Sequence, residues 1–430
     1  MITFANIPET SKKRIVIIGA GFAGLLLARK IDKTIYQVVL LDKNNYHQFQ
    51  PLFYQVATAG LEPSAISFPL RKIFQKKKDI HIRVCEVKEV LPSENAILTD
   101  IGRFNYDHLV IATGADTNFY GNQEIKQNAM PMKSVSEALY IRNQVLSNFE
   151  MALVTKDDEL RKSLLNIVVV GGGPTGVEVS GTLADMKKTV LPKDYPELDF
   201  NLMTITLIEG GDRLLGSMST VSSKHVKKFL EKRGVKVLVN TRVSGFDGDI
   251  LSFTNGETIV TKTLIWAAGV KATLIPGIDP SCIHASGRIS VDKYNLIEGY
   301  ENIYSIGDVC ISLEDPKFPK GHPQIAQPAM QQGVLLASNF KNKSLSKPLK
   351  SFSYKDLGSM ATVGRNFAVV ELPFFKFQGF RAWLFWMLVH LMSIVGVKNR
   401  LLIFINWVWN YISYDQSLRL IIKPRHKEIE

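Results

Sequence analysis

The 430-residue chain is long enough for roughly two to four domains, and its composition, without low-complexity tracts, is that of a folded globular protein. Its formal charge of +12 fits an anionic membrane surface or anionic ligands; no arginine-rich arm or aromatic RNA-binding motif speaks for nucleic acid. The three cysteines, Cys85, Cys282 and Cys310, are too far apart for a secreted disulfide framework or a close redox pair, and read as reduced filler.

Residues 1–14 hold no apolar run long enough for a signal peptide, so no export is expected. Residues 14–42 then read as strand, Gly19-x-Gly21-x-x-Gly24 turn, helix and a second strand ending in Asp42. The first glycine permits a tight turn, the second lets backbone approach a pyrophosphate, and the third lets the helix pack closely. Asp42 is placed to accept from an adenosine ribose. Residues 43–71 mix aromatics, glutamines and prolines without a steady period and read as turns and short helices. For His47, Gln48, Gln50 and Gln55 ordinary loop hydrogen bonding is the bland alternative. Short strands follow at 80–91 and 96–99, then a strand running into Thr113-Gly114-Ala115, a small-residue turn suited to close approach by a dinucleotide. Residues 134–162 carry one long helical pattern.

A second unit of the same kind starts at Asn166, with Gly171-x-Gly173-x-x-Gly176 and a later strand ending in Glu209. Residues 186–203 look like an insertion that lengthens its crossover. Two fingerprints about 150 residues apart indicate two dinucleotides, an arrangement compatible with a bound flavin and a nicotinamide substrate. Glu209 favours NADH over NADPH by repelling a 2′-phosphate, with Arg213 near enough in sequence to moderate that preference. Residues 226–270 read as helix, strands and a hairpin; 303–310 form a strand leading into Gly307-Asp308; and 323–340 become helical, offering N–H groups suited to the pyrimidine side of a flavin.

From Phe374 the composition becomes apolar and aromatic. The run 382–397 rises only about 24 Å as a helix, short of the ~30 Å hydrocarbon layer. Two helices lying on a membrane surface are expected, interrupted at Lys398, Asn399 and Arg400, with Trp383, Trp386, Trp407, Trp409, Tyr411 and Tyr414 at interface depth. Arg381, Lys398, Arg400, Arg419, Lys423, Arg425 and Lys427 outnumber Asp415, Glu428 and Glu430, so anionic lipid would attract this tail. A helical hairpin buried in a core or a dimer interface is the alternative.

The fingerprint at 19–24, YHQFQPLFYQVATAGL at 46–61, ATGA at 112–115, GGGPTGVE at 171–178, WAAGV at 266–270, SIGDV at 305–309, AQPAMQQG at 326–333 and the tail from 382 together resemble the bacterial-type, single-subunit type II NADH:quinone oxidoreductases. The resemblance spans nearly the whole chain. It implies an α/β fold with two Rossmann-like domains of the glutathione-reductase-like flavoprotein type, plus a C-terminal amphipathic membrane-anchoring region. The boundaries expected are 11–120 and 291–345 for FAD, 121–164 as a connecting helical segment, 165–290 for NADH, and 346–430 for membrane association and quinone access.

By the same resemblance Gly19, Gly21, Gly24, Asp42, Thr113, Gly114 and Asp308 would hold non-covalent FAD, and Gly171, Gly173, Gly176 and Glu209 would hold NADH. Glu178 resembles the acid beside the flavin on the NADH side, to orient nicotinamide or relay protons. Gln327 and Gln331 resemble the amides at the quinone site. Pro51 and Gln55 fall in a segment running along the flavin without an assigned step. No metal is implied. The implied partners are a membrane quinone (menaquinone or ubiquinone), an anionic lipid surface and a second copy of the chain, at the cytoplasmic face of the bacterial cell membrane and without proton pumping. Sulfide:quinone oxidoreductases and disulfide reductases use paired cysteines not found here. A soluble NAD(P)H flavin reductase with another acceptor, its tail a dimerisation element, stays open as the alternative.

Overall fold

The computed structural model describes residues 6–413 and 418–422. Two compact units emerge among the described residues, one built from those up to 48 with 68–116 and 270–357, the other from 49–67, 117–269 and those from 358 on. Residues 49–67 thus group with the second unit and 270–290 with the first.

The first unit is organised by a five-stranded sheet in the order Ile303–Ser305, His108–Ile111, Lys13–Ile18, Tyr36–Asp42, Ile80–Val84, every neighbouring pair parallel. Val16, Val39 and Leu109 are wholly buried against Val90, Ile97 and Phe104 of an antiparallel sheet, as continuous β-branched and leucine runs require in a parallel sheet covered on both faces. Helix Phe22–Lys30 packs against helix Ala326–Ser344 so closely that a methyl group at Gly333 would sit 2.6 Å from the Ala23 carbonyl oxygen. A three-stranded antiparallel sheet, 87–105, completes the unit.

The second unit repeats the plan. Its parallel sheet runs Met130–Pro131, Thr263–Trp266, Asn166–Val170, Thr204–Ile208, Val235–Leu238, again with the fingerprint strand in the middle, and a three-stranded antiparallel sheet spans 243–260. These are two Rossmann-like domains, as the sequence implies.

Several local expectations change. The pattern at 134–162 is two helices, Val135–Val154 and Asp158–Leu165, because Asp157 accepts from the N–H groups of Glu159 and Leu160 and starts a new helix. The helix expected from 226 begins at Thr220, where Ser219 caps it. In the tail, Lys398, Asn399 and Arg400 do not interrupt: they form the first turn of helix Val397–Ser413, and the break falls at 394–396, where Gly396 adopts φ +87°. Among the described residues no helix is long and apolar enough to cross a membrane. Tyr414, Asp415, Lys423, Arg425, Lys427, Glu428 and Glu430 lie outside the described residues.

Candidate functional site

Both fingerprint turns are built to the same pattern. Gly19 and Gly171 have φ of +101° and +114°, and a methyl at either would run into the carbonyl of the neighbouring strand's end, Ala112 or Ala267. Gly24 and Gly176 pack on the carbonyls of Gly19 and Gly171 with no room for a Cβ. At the middle glycines, Gly21 and Gly173, a methyl would meet nothing within 4 Å. Neither following helix has a side-chain cap, and the second begins with Pro174 in its first turn. A pyrophosphate fits such a helix start, which presents N–H groups and a positive dipole end.

The two acids are held alike. Asp42 accepts from Ala20 N at 2.7 Å and Asn44 N at 2.7 Å, while Glu209 accepts from Gly172 N at 2.6 Å and Gly211 N at 2.6 Å. Each carboxylate is thereby pinned to its own glycine turn with a lone pair per oxygen left for a ribose hydroxyl. Burial raises the Asp42 carboxyl, and its two backbone donors work against that. His47, buried, donates from Nδ1 to the Ala20 carbonyl at 2.8 Å, and burial keeps its ring neutral by lowering its pKa. It therefore clamps the first turn from the other side.

In the first unit Thr113 donates to the Thr273 carbonyl at 2.6 Å and the Gly114 carbonyl accepts from Thr273 N at 3.0 Å, so this turn is fastened to one residue. Gly114 has φ +71° with open space where a Cβ would stand. Asp308 follows Gly307, whose N–H donates to the Gln332 side chain at 2.7 Å, and the Asp308 carbonyl accepts from Gln324 at 2.8 Å. Gln332 is buried and was not singled out from the sequence; its only signal there is its place beside Gln331 in the double glutamine of AQPAMQQG.

Gln327 and Gln331 both grip the segment that follows their helix. The Gln327 oxygen accepts from the Tyr354 hydroxyl at 3.0 Å and Leu357 N at 3.1 Å; Gln331 donates to the Lys355 carbonyl and accepts from its N–H at 2.8 and 3.0 Å. The Tyr354 N–H in turn donates to Asp315, paired with His322 at 3.0 Å. Burial opposes the Asp315 charge, but these bonds and Lys317 N hold its carboxyl below the usual range.

Glu178 lies inside the second unit on helix Pro174–Thr189, which carries Gly181 against Val363 and Gly364 with no space for a side chain. Its carboxyl accepts from Thr362 N at 3.3 Å. Burial pushes its pKa up to about 8, against the pull of the Thr362 N–H and the Trp386 indole. A cavity of about 160 Å³ adjoins, lined by Tyr54, Gln55, Trp386 and Trp407 among others.

Trp386 is 1% exposed and stacks on His390 at 3.9 Å, and Trp407 donates to Gln55 at 2.8 Å. The tail tryptophans therefore do not all lie at interface depth: Trp386 is core, Trp383 and Trp407 are half-buried, and Trp409 is exposed. Helix Val397–Ser413 turns three polar groups inward, Asn399 onto the Ala65 carbonyl, Trp407 onto Gln55 and Asn410 onto the Gly60 carbonyl. Its outward face is Leu401, Leu402, Phe404, Ile405, Val408 and Ile412.

A family model described as pyridine nucleotide-disulphide oxidoreductase matches residues 13–333, and one described as the NDH2 C-terminal domain matches 357–413. The type II NADH:quinone oxidoreductase Ndh of Mycobacterium tuberculosis is 30% identical over 94% of this chain and 89% of its own. The chain belongs to the type II NADH:quinone oxidoreductase family. An internal alternative NAD(P)H-ubiquinone oxidoreductase of Arabidopsis thaliana mitochondria is also 30% identical, over 94% of this chain and 85% of its own, so the family reaches beyond bacteria. The fold matches NDH2 of Plasmodium falciparum, solved in complex with NADH, with a TM-score of 0.88 over 96% of this chain and all of that one, at 24% identity. In this member of the type II NADH:quinone oxidoreductases the three cysteines are free and buried. Burial pushes the Cys85 and Cys310 thiols up to about 12, so neither offers a thiolate at neutral pH.

Proposed function

We propose that the chain oxidises NADH and reduces a membrane quinone through non-covalent FAD, without pumping protons. The observation that carries this reading is the doubled cradle: Asp42 on Ala20 N and Glu209 on Gly172 N, each beside a glycine turn with open space at its middle residue. FAD, when bound, supplies hydride acceptance from a nicotinamide and two-electron delivery to a quinone.

The residues of the chain do the rest. Gly19, Gly21, Gly24 and Asp42 hold the adenosine end of FAD, with Thr113, Gly114 and Asp308 completing its contacts. Gly171, Gly173, Gly176 and Glu209 hold NADH, and the Glu209 charge disfavours a 2′-phosphate. Glu178, protonated below about pH 8, keeps a proton inside the second unit or orients the nicotinamide. Gln327 and Gln331 fix the 354–357 segment as an edge for the quinone, menaquinone or ubiquinone.

The outward apolar face of helix Val397–Ser413 supports a peripheral seat on an anionic lipid surface. Such a seat belongs at the cytoplasmic face of a bacterial cell membrane, with the chain as a homodimer and nucleic acid playing no part. The experiment is direct: purified protein should show flavin absorption bands and oxidise NADH with a quinone carried in lipid vesicles. Protein that binds no flavin even when FAD is added overturns the proposal.

A further inference from the structure

Asp315 and His322 close the loop between strand Cys310–Ile311 and helix Ala326–Ser344 of the first unit, and both are buried. The Asp315 carboxylate can only accept, so the hydrogen in its 3.0 Å contact with His322 Nε2 belongs to the imidazole. The other ring nitrogen, Nδ1, is buried without a hydrogen-bond partner among the described residues, and the ring packs against Phe318, Phe352 and Tyr354 at centroid distances of 5.3, 5.0 and 5.9 Å. Arg288 anchors the loop from below, donating to the His322 carbonyl at 3.2 Å and the Cys310 carbonyl at 2.8 Å. From this pair an unbroken run of hydrogen bonds and backbone reaches Gln327. Asp315 Oδ2 also accepts from Tyr354 N at 2.9 Å, the Tyr354 hydroxyl donates to Gln327 Oε1 at 3.0 Å, and the same oxygen accepts from Leu357 N at 3.1 Å. A backbone N–H can only donate, so the Leu357 bond decides which prong of the Gln327 amide is oxygen.

We propose that Asp315 and His322 are positioning residues for the quinone half-reaction, which act through Tyr354 to hold the Gln327 amide in one orientation at the quinone edge. This deepens the quinone reading of Gln327 and rests on it. A carboxylate and an imidazole withdrawn from water among aromatic rings cost stability that apolar side chains would not. What the pair supplies in return is direction. His322 holds the carboxylate in place, the carboxylate holds the Tyr354 N–H, and the Tyr354 ring is wedged between Phe318 at 5.0 Å and His322, which fixes where its hydroxyl lands. Without the His322 donor the carboxylate loses one of its three bonds, the others coming from Tyr354 N and Lys317 N, and the Tyr354 hydroxyl no longer meets Gln327 at a fixed point. An amide misplaced by about 1 Å at a reacting carbonyl can cost on the order of a hundredfold in rate.

The test is anaerobic stopped-flow on full-length holoenzyme bound to anionic vesicles that carry menaquinone or ubiquinone, whichever the wild type reduces faster. Flavin reduction by NADH and flavin reoxidation by the quinone are read separately. His322→Phe keeps a ring in the aromatic cluster and removes the donor to Asp315; His322→Gln returns an amide donor close to the place of Nε2. His322→Phe should slow reoxidation about tenfold while flavin reduction stays within about twofold of wild type, and His322→Gln should recover reoxidation to within about threefold. Tyr354→Phe removes only the hydroxyl bond to Gln327 and leaves the Asp315–His322 pair whole, so it carries the test even where His322→Phe fails to fold. It should slow reoxidation as His322→Phe does, and the double variant should be slower than either single by no more than about twofold. Gln327→Ala separates the two readings. If it leaves reoxidation unchanged, Gln327 is not at the acceptor site and the reading beneath this one falls. If Gln327→Ala slows reoxidation but Tyr354→Phe does not, or His322→Phe slows both half-reactions alike, is not rescued by glutamine, or multiplies the Tyr354→Phe effect, the positioning role is overturned and Gln327 keeps its place.

Discussion

Glu178 and Thr362 are joined by a single backbone N–H bond of 3.3 Å, too little to offset burial, and the carboxyl consequently titrates near 8. The folded-state pKa is thus raised above its value in the unfolded chain, near 4.5. The folded protein therefore binds the extra proton between those values, and its stability falls as pH rises through that window. Relative to Glu178→Gln, the wild type should lose stability on the order of 3 kcal/mol from pH 5 to pH 8. Denaturant melts of the two proteins at both pH values check this; parallel curves would contradict it.

Glu209→Arg should reverse the coenzyme preference. The substitution removes the acceptor of Gly172 N and Gly211 N and places a positive charge where a 2′-phosphate would lie. The expected result is a loss of about 10- to 100-fold in kcat/KM for NADH and a gain for NADPH. Steady-state kinetics with both coenzymes read it out, and unchanged values for the two would remove Glu209 from the adenosine site.

Gln332→Leu should weaken flavin retention more than NADH binding. The Gly307 N–H, now donating to Gln332 at 2.7 Å, would be left without that acceptor at a cost of about 1–3 kcal/mol. Flavin release during dilution, followed by fluorescence, should speed up. Retention equal to wild type would mean that the turn presenting Asp308 stands without the amide.

Much of this architecture is legible from the residues alone. Each fingerprint states its own geometry, since only glycine fits at 19, 24, 171 and 176, and the buried β-branched runs at 15–18 and 167–170 leave a parallel sheet as their natural home. The tail is less legible. Which way Trp386 faces depends on helix phase, which the almost wholly apolar run 382–389 conceals, and which way Trp409 faces depends on the polar contacts of Asn399, Trp407 and Asn410. The break at 155–157 was hidden for a related reason: Asp157 reads as one more charge in a helical pattern until its cap bonds are seen. Gln327 and Gln331 stand out by motif, but their grip on 354–357 arises from residues more than 20 positions later in the chain.

Charging the outward face of the last helix should release the protein from lipid without harming its flavin chemistry. Phe404→Glu together with Leu401→Glu places two carboxylates on exposed positions that touch no part of either cradle. Co-sedimentation with anionic vesicles should fall about tenfold or more, while NADH-driven reduction of a water-soluble dye stays within about twofold of wild type. Undiminished vesicle binding would move the membrane contact elsewhere.

Anaerobic stopped-flow absorbance of the flavin, in protein bound to quinone-containing vesicles, tests the whole electron path at once. One equivalent of NADH should bleach the flavin band, and the vesicle quinone should then restore it within the turnover time of the enzyme. A flavin that NADH does not bleach, or that stays bleached with quinone present and recovers only when oxygen is admitted, would contradict the account.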